Sequence, residues 1–259
     1  LPVLVYQEKN CVHNHADEIA QMGKNALIVT GRNSSKKNGS LDDVINALKS
    51  KNIKYTVYDG VEENPSVETV MEAREIGVKA GCDFIIGIGG GSPMDAAKAI
   101  GVMIYYKNEN KDFLYKSVSN SQSLPVIEVP TTCGTGSEVT TVAVLTVHNE
   151  KTKKSMSHRI FPRMALVDEK YIKNAPLKVI CDTAIDALAH IVESCINNNA
   201  TEYSKMFAKE GLEAWSKFKD VLLGNREATD EDFHNMMYAS TLAGMCIAHA
   251  GTSLPHGLS

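Results

Sequence analysis

Residues 84–98 read FIIGIGGGSPMDAAK, and this stretch decides the class of fold. Residues 84–88 are almost wholly apolar, which is typical of a strand buried on both faces in a parallel sheet. Three glycines follow, and glycine lets the backbone adopt positive φ and approach an anion closely. A helix N-terminus behind such a loop is a phosphate site. The stretch therefore predicts an α/β protein with a phosphate-binding loop.

The start of the helix after the glycines is also marked in the sequence. Ser92 suits the N-cap, Pro93 the first helical position and Asp95 the acid of a capping box. The loop departs from the G-x-G-x-x-G dinucleotide pattern, whose third glycine falls at Ser92. A plain tight turn therefore remains an alternative to a phosphate site at Gly89, Gly90 and Gly91.

Strands and helices alternate on both sides of this loop. The pattern βαβα predicts a doubly wound parallel sheet with right-handed crossovers. After about residue 174 only helical periodicity remains, so we predict an α/β dinucleotide-binding domain over 1–174 and an all-helical domain over 175–259. The predicted strands are 26–30, 55–58, 84–88 and 126–129, and the predicted helices are 41–50 and 66–80.

A second loop of glycines and hydroxyls, PTTCGTGSE at 130–138, follows the strand 126–129. Open α/β sheets bind ligands at the carboxyl ends of their strands, so these side chains suit a nucleotide crevice. An ordinary turn is the alternative. Cys133 has no activating neighbour in the sequence and is interpreted as a packing residue. The candidate contacts are Thr131, Thr132, Thr135 and Ser137.

A carboxylate and an imidazole lie four residues apart at Asp186 and His190, on one face of a predicted helix that also carries Thr183 and Glu193. Such a pair can share a divalent ion, but a metal site needs three or four ligands. For an isolated pair, a surface hydrogen bond or a buried, satisfied histidine is the favoured interpretation. His256 is the candidate third ligand.

Composition excludes several classes of protein. The chain has 259 residues and a net charge of −4, which argues against a nucleic-acid partner. Its apolar runs are shorter than the roughly 18–20 residues that cross a bilayer. The six cysteines are scattered, as in proteins of a reducing compartment. We expect a cytoplasmic enzyme without a membrane or nucleic-acid partner.

Taken together, four segments resemble the iron-containing (group III) alcohol dehydrogenase family, and they follow its order and spacing along the whole chain. They are residues 89–98, residues 130–140, the D-A-L-A-H segment at 186–190 and the H-G-L-S segment at 256–259.

The resemblance implies a role for each candidate residue. Asp186, His190 and His256 are metal ligands and act on the substrate through the metal. A fourth ligand, a further histidine, would fall after Ser259, so the helical domain is expected to be cut short here. Lys154 and Asn64 lie near the nicotinamide ribose. The other cofactor contacts are Gly89, Gly90, Gly91, Ser92, Asp95, Thr131, Thr132, Thr135 and Ser137.

The segment after the first predicted strand resembles the NADP-linked butanol dehydrogenase branch. Gly31 stands where NAD-using members carry an acidic residue, and Ser34, Ser35 and Lys36 suit a 2′-phosphate. The resemblance implies hydride transfer between NADP(H), or NAD(H), and a primary alcohol or aldehyde, with Fe²⁺ or Zn²⁺. A homodimer or higher homo-oligomer is expected. The alternatives are a glycerol-dehydrogenase-like polyol oxidoreductase and a non-catalytic nucleotide-binding fragment.

Overall fold

The computed structural model describes residues 2–253 and His256. Its centre is a six-stranded sheet in which all neighbouring strands run parallel, in the order β1-β8-β5-β4-β2-β3. The predicted doubly wound α/β sheet is confirmed. In chain order the strands are β1 (Leu4–Gln7), β2 (Asn25–Gly31), β3 (Lys54–Val61), β4 (Phe84–Gly89), β5 (Val126–Pro130), β6 (Val144–Val147), β7 (Thr152–Ser155) and β8 (Met164–Val167).

The strand order reverses between β2 and β4. From β2 the chain moves outward to β3, and from β4 it moves the opposite way to β5 and β8. The side chains of β4 are buried on both faces, as its apolar sequence predicts. Open parallel sheets bind ligands where the order reverses, at the carboxyl ends of the strands. The glycine loop after β4 lies at this point.

Helices cover both faces of the sheet. Leu41, Val44 and Leu48 pack on one face, while Val67 and Val70 pack on the other. The helices of this part are α1 (Cys11–Asn14), α2 (Ala16–Ala20), α3 (Ser34–Lys37), α4 (Ser40–Ser50), α5 (Val67–Ala80) and α6 (Gly91–Tyr105).

The chain beyond β8 is helical, with α7 (Leu177–Ile196), α8 (Glu202–Leu222) and α9 (Asp230–Ala250) packed around a third core, to which Cys133 and Val167 also contribute. Thr201 and Thr229 cap α8 and α9 through capping boxes, which satisfy amides that the helix leaves unpaired. The domain boundary at 174/175 stays a prediction. No helix in the described part of the chain is both long and apolar enough to span a bilayer.

Two parts of the sequence prediction were incomplete. Strands β1 and β8 form one edge of the sheet, and β6 and β7 form a separate antiparallel hairpin. None of these was predicted as a strand. Each has only four residues, which is too short to show the period-2 alternation that identifies a strand.

The predicted start of α6 is wrong. The helix begins at Gly91, with Gly90 at the N-cap and no side-chain cap, so Ser92 and Pro93 lie inside the first turn. Asp95 is not a capping-box acid either, since its carboxylate accepts from Ser137 Oγ at 2.6 Å and from the Val144 amide at 2.8 Å. Contacts across the loop, rather than the local signal, determine where this helix begins.

The loop after β5 packs tightly against the helices beyond β8. A Cβ atom on Gly134 would lie 2.6 Å from the Thr183 carbonyl oxygen, and one on Gly136 would lie 2.4 Å from Gly244 Cα. Glu138 is buried and accepts a hydrogen bond from Thr241 Oγ1 at 2.8 Å. This loop therefore joins the sheet to both α7 and α9.

Candidate metal and nucleotide site

Asp186, His190 and His256 come together in the structure. His190 Nε2 lies 3.8 Å and His256 Nε2 lies 3.3 Å from Asp186 Oδ1. One ligand atom from each residue can be chosen so that all three lie within 4.8 Å of one another. Among residues 2–253 and His256, this is the only three-residue group of metal-binding side chains with such spacing. The four-residue spacing on α7 brings two of them onto one helix face.

The second ring nitrogen of each histidine has an acceptor. His190 Nδ1 lies 3.2 Å from the Gly134 carbonyl oxygen, and His256 Nδ1 lies 2.6 Å from Glu193 Oε1. A carbonyl oxygen can only accept, so His190 Nδ1 donates to it, and the short contact with the Glu193 carboxylate favours a proton on His256 Nδ1 as well. Both Nε2 atoms face Asp186, and His256 Nε2 lies within hydrogen-bond distance of Asp186 Oδ1 at 3.3 Å. Histidines that bind metals are oriented in this way.

Burial lowers the pKa of His190, against the attraction of the Asp186 carboxylate. The neutral imidazole is the form that binds a metal ion. Glu193 is also buried, yet hydrogen bonds from the Ser253 amide at 2.7 Å and from His256 hold its pKa below the ordinary value. Burial therefore favours the neutral form of His190, while hydrogen bonds favour the charged form of Glu193.

A cavity of about 550 Å³ connects this cluster to the glycine loop. Asp186, His190 and His256 line one part of it, and Val142, Val144 and Ile247 add apolar surface. Of the predicted cofactor contacts, five line the rest of the cavity. They are Asn64, Gly91, Asp95, Thr135 and Ser137.

The two glycine-containing loops touch each other at the cavity wall. Gly89 has φ 151°, where glycine is favoured. Cβ atoms on Gly90 and Gly91 would lie 3.1 Å from the Thr132 side chain and 2.9 Å from the Thr135 side chain. The threonines of the second loop therefore pack against the N-terminus of α6, and this close packing favours glycine at positions 90 and 91.

Several predicted contacts bond to the protein itself. The buried Thr131 donates its amide to the Gly89 carbonyl at 2.8 Å. Ser92 Oγ accepts from the Asn64 amide at 3.0 Å, so Ser92 holds the turn at Asn64, whose φ is 55°. Ser137 Oγ donates to Asp95 and receives a hydrogen bond from Lys98 Nζ at 2.6 Å. These residues therefore support the shape of the site by hydrogen bonds within the protein.

The residues predicted to contact a 2′-phosphate have different surroundings in the structure. Ser35 is fully buried and receives a hydrogen bond from Thr30 Oγ1 at 2.8 Å, so its hydroxyl faces the protein interior. Lys36 Nζ lies 2.5 Å from Asp59 Oδ2. Ser34 is exposed, and Gly31 ends β2. Two of the predicted groups therefore already bond to other residues of the protein, Ser35 in the interior and Lys36 at the surface.

Lys154 does not line the cavity. In the hairpin it pairs with Leu145, which is buried, and its Nζ contacts Glu150 and lies 5.7 Å from the Tyr115 ring centroid. Lys153 alternates to the opposite face and lines a groove of about 670 Å³ that Asn64 also lines. Because no hairpin was predicted, the two lysines could not be distinguished from the sequence.

Three contributors were not identified as site residues from the sequence. The Gly134 carbonyl carries no side-chain signal. Glu193 was noted on the helix face of His190, and its place seven residues after Asp186 was an available signal. Asp59 on β3 approaches Lys36 only through strand pairing.

Comparison with known proteins agrees with the resemblance. The family model for iron-containing alcohol dehydrogenases matches residues 2–169, and the C-terminal model of the same family matches residues 180–259. The long-chain primary alcohol dehydrogenase of Thermoanaerobacter ethanolicus is 33% identical over 236 residues, which cover 90% of this chain and 59% of that protein. The NADPH-dependent butanol dehydrogenase of Clostridium saccharobutylicum is 33% identical over 245 residues, covering 92% and 61%.

A solved structure shows the same fold. The iron-containing alcohol dehydrogenase from Thermotoga maritima superposes with a TM-score of 0.93 at 40% identity, covering all of this chain and 70% of that one. The chain spans about three fifths of the length of the two curated relatives, at 59% and 61%. Two models of one family match this chain, as do relatives at 33% identity, and the chain belongs to the iron-containing alcohol dehydrogenase family.

Proposed function

We propose that the protein transfers a hydride between NADP(H) and a primary alcohol or aldehyde of the butanol/butanal type, with the help of a divalent metal ion. The observation that carries this proposal is the single cavity that joins the Asp186/His190/His256 cluster to the glycine loop. Hydride transfer requires the nicotinamide and the reacting carbon to be held against each other. One cavity with an ion site and a phosphate site meets that requirement.

The three candidate ligands fit a divalent ion. Their atoms lie within 4.8 Å of one another, and both imidazoles are held with Nε2 toward the carboxylate. Two imidazoles and one carboxylate suit Fe²⁺ or Zn²⁺ and leave a position for substrate. We therefore assign Asp186, His190 and His256 as metal ligands, with Gly134 and Glu193 as the groups that orient them.

The remaining residues bind and orient the cofactor and the substrate. The N-terminus of α6 at Gly90 and Gly91 binds the pyrophosphate, and Thr132 and Thr135 border it. Val142, Val144 and Ile247 exclude water around the nicotinamide. When bound, the ion acts as a Lewis acid on the substrate oxygen and the nicotinamide carries the hydride.

Two measurements on the purified protein test this function. NADPH is titrated without substrate, followed by its fluorescence, and butanal reduction is then assayed with Fe²⁺ or Zn²⁺ present. We expect saturable NADPH binding and turnover that needs the metal. Binding without turnover would favour the non-catalytic nucleotide-binding alternative. A clear preference for NADH over NADPH would refute the NADP(H) part of the proposal.

The substrate class is tested with a matched pair of alcohols. The reverse reaction is run with 1-butanol and with glycerol at equal concentrations. We expect 1-butanol to be oxidised with the higher kcat/KM, since apolar side chains contribute to the cavity beside the ligands. A preference for glycerol would favour the polyol oxidoreductase instead.

A further inference from the structure

Gly31, at the end of β2, has no carboxylate, but the neighbouring strand β3 carries one near its end, on Asp59. Asp59 lies near the end of β3, which pairs with β2, and the register shifts between Val29 and Gly31. The extra residue in β3 at this shift forms a bulge, and bulges redirect side chains. Asp59 Oδ2 lies 2.5 Å from Lys36 Nζ, on the short helix that follows β2.

This carboxylate lies at the edge where a dinucleotide is recognised. The glycine loop follows β4, β2 is the neighbouring strand, and the order of the sheet reverses between them. In dinucleotide-binding sheets the ribose 2′ position is read at the end of the strand beside the phosphate loop, by an acid for a hydroxyl and by a base for a phosphate. Lys36 and Asp59 are one base and one acid at this edge.

We infer that Asp59 is a specificity-determining residue, which pairs with Lys36 and thereby opposes the 2′-phosphate of NADP(H) relative to the 2′-hydroxyl of NAD(H). The inference rests on the nucleotide site of the proposed function. Both side chains are 49% exposed, so a ligand can reach them. A 2′-phosphate needs the Lys36 ammonium, which Asp59 already engages. The Asp59 carboxylate also repels the phosphate, because both are negatively charged.

The local charges agree with this assignment. Lys36 lowers the pKa of Asp59 by hydrogen bonding, and Arg32 lowers it further by charge, so Asp59 is ionised at neutral pH. A cation released from this pair would face a phosphate together with Arg32. Ser35 is buried and engaged with Thr30. The net charge that faces the ribose 2′ position therefore depends on Asp59, Lys36 and Arg32.

The experiment measures the dissociation constants of NADPH and NADH for the wild type, Asp59→Asn and Lys36→Gln. Asparagine keeps the shape of the side chain and removes its charge. We expect Asp59→Asn to shift the NADH/NADPH ratio of dissociation constants roughly tenfold in favour of NADPH, mainly through tighter NADPH binding. Lys36→Gln should weaken the binding of NADPH. The tighter NADPH binding caused by Asp59→Asn should disappear in the variant that carries both substitutions, which is measured as well.

Asp17→Asn is the matched control. Asp17 pairs with Lys51 at 2.5 Å. Lys51 precedes β3 and lies at the amino end of that strand, whereas Asp59 is near its carboxyl end, so the loss of Asp17 should leave both constants unchanged. The Asp59→Asn gain should also shrink at high salt, because the site is exposed.

The outcomes separate the inference from the proposed function. An unchanged ratio in Asp59→Asn, or weaker NADPH binding, would overturn the inference while leaving the proposed hydride transfer intact. A wild type that prefers NADH but gains NADPH binding in Asp59→Asn would support the inference and refute only the proposed NADP(H) preference. A protein that binds neither nucleotide would overturn both.

Discussion

His190 Nδ1 lies 3.2 Å from the carbonyl oxygen of Gly134, which joins a candidate metal ligand on α7 to the loop that borders the nucleotide site. The contact determines which ring nitrogen carries the proton, and it leaves Nε2 toward Asp186. The same glycine has no room for a side chain, since its Cβ would lie 2.6 Å from the Thr183 carbonyl oxygen. Gly134 thus supports both the proposed metal site and the loop that borders the proposed cofactor site.

The first prediction concerns the metal. His190→Ala removes one of three candidate ligands, so we expect the bound metal measured by atomic emission to fall to background after dialysis. His13→Ala is the control, because His13 is exposed and distant from the cluster in the fold. Unchanged stoichiometry in His190→Ala would refute the ligand assignment.

The second prediction concerns the orientation of His256. Glu193→Gln keeps the shape of the side chain but weakens the acceptor for His256 Nδ1, so we expect metal affinity to fall about 10–100-fold. Competition with a chelator gives the dissociation constant, and circular dichroism checks folding. Glu213→Gln, on the exposed face of α8, should leave the affinity as it is. Equal affinities for both variants would contradict a positioning role for Glu193.

The third prediction separates two adjacent lysines. Lys153 faces the groove that Asn64 shares with the cavity, whereas Lys154 pairs with Glu150 on the other face of the hairpin. We expect Lys153→Ala to raise the KM for NADPH roughly three- to tenfold and Lys154→Ala to change it less than twofold. Steady-state kinetics with butanal decides between them. A larger effect of Lys154→Ala would restore the assignment made from the sequence.

The fourth prediction concerns the contact between the second loop and α9. Alanine normally stabilises a helix interior relative to glycine. Gly244→Ala should instead lower the free energy of unfolding by about 1–3 kcal/mol, since its Cβ would lie 2.3 Å from the Gly136 carbonyl oxygen.

Gly211→Ala in α8 is the matched control for this contact. Its Cβ would lie 2.9 Å from the end of the Ile191 side chain, which can move, and 3.4 Å from Leu242 Cβ, which is an ordinary contact. We therefore expect Gly211→Ala to cost much less than Gly244→Ala in urea unfolding. Equal stabilities would mean that the loop and α9 are not packed as closely as the structure shows.

The fifth prediction concerns a buried carboxyl group on β5. Glu128 is fully buried, and within the described residues neither of its oxygens has a hydrogen-bond partner. Burial raises its pKa well above the ordinary value of 4.5, despite the nearby Lys98 ammonium. The folded protein thus keeps a proton that the unfolded chain loses above pH 4.5. Stability contributed by this group falls as pH rises from there, by at most about 1.4 kcal/mol per pH unit.

Glu128→Gln removes this titration while keeping the shape of the side chain. We expect the variant to gain stability relative to the wild type as the pH is raised from 5 to 8, measured by thermal unfolding. Glu227→Gln, an exposed substitution, should show no such trend. A constant difference across this pH range would show that Glu128 ionises in the fold as it does in the unfolded chain.

Much of the fold could be predicted from local patterns. The strand at β4 and the helices α4 and α5 follow from their apolar periodicity, because burial on one or two faces imposes a characteristic spacing. The strands β1, β6, β7 and β8 were missed, since four residues carry too little pattern. The N-cap of α6 was placed at Ser92 instead of Gly90 because loop contacts override the local capping signal.

The amino-acid sequence alone specifies which chemical groups are available: a glycine loop behind a buried strand, and an aspartate and a histidine one helical turn apart on α7. Which of these groups meet depends on how the strands and helices pack. This packing placed His256 beside Asp186 and turned Lys153 toward the groove. It also paired Lys36 with Asp59. Spacing along the chain describes neighbours within one element, whereas these contacts join residues that are brought together by strand pairing and helix packing.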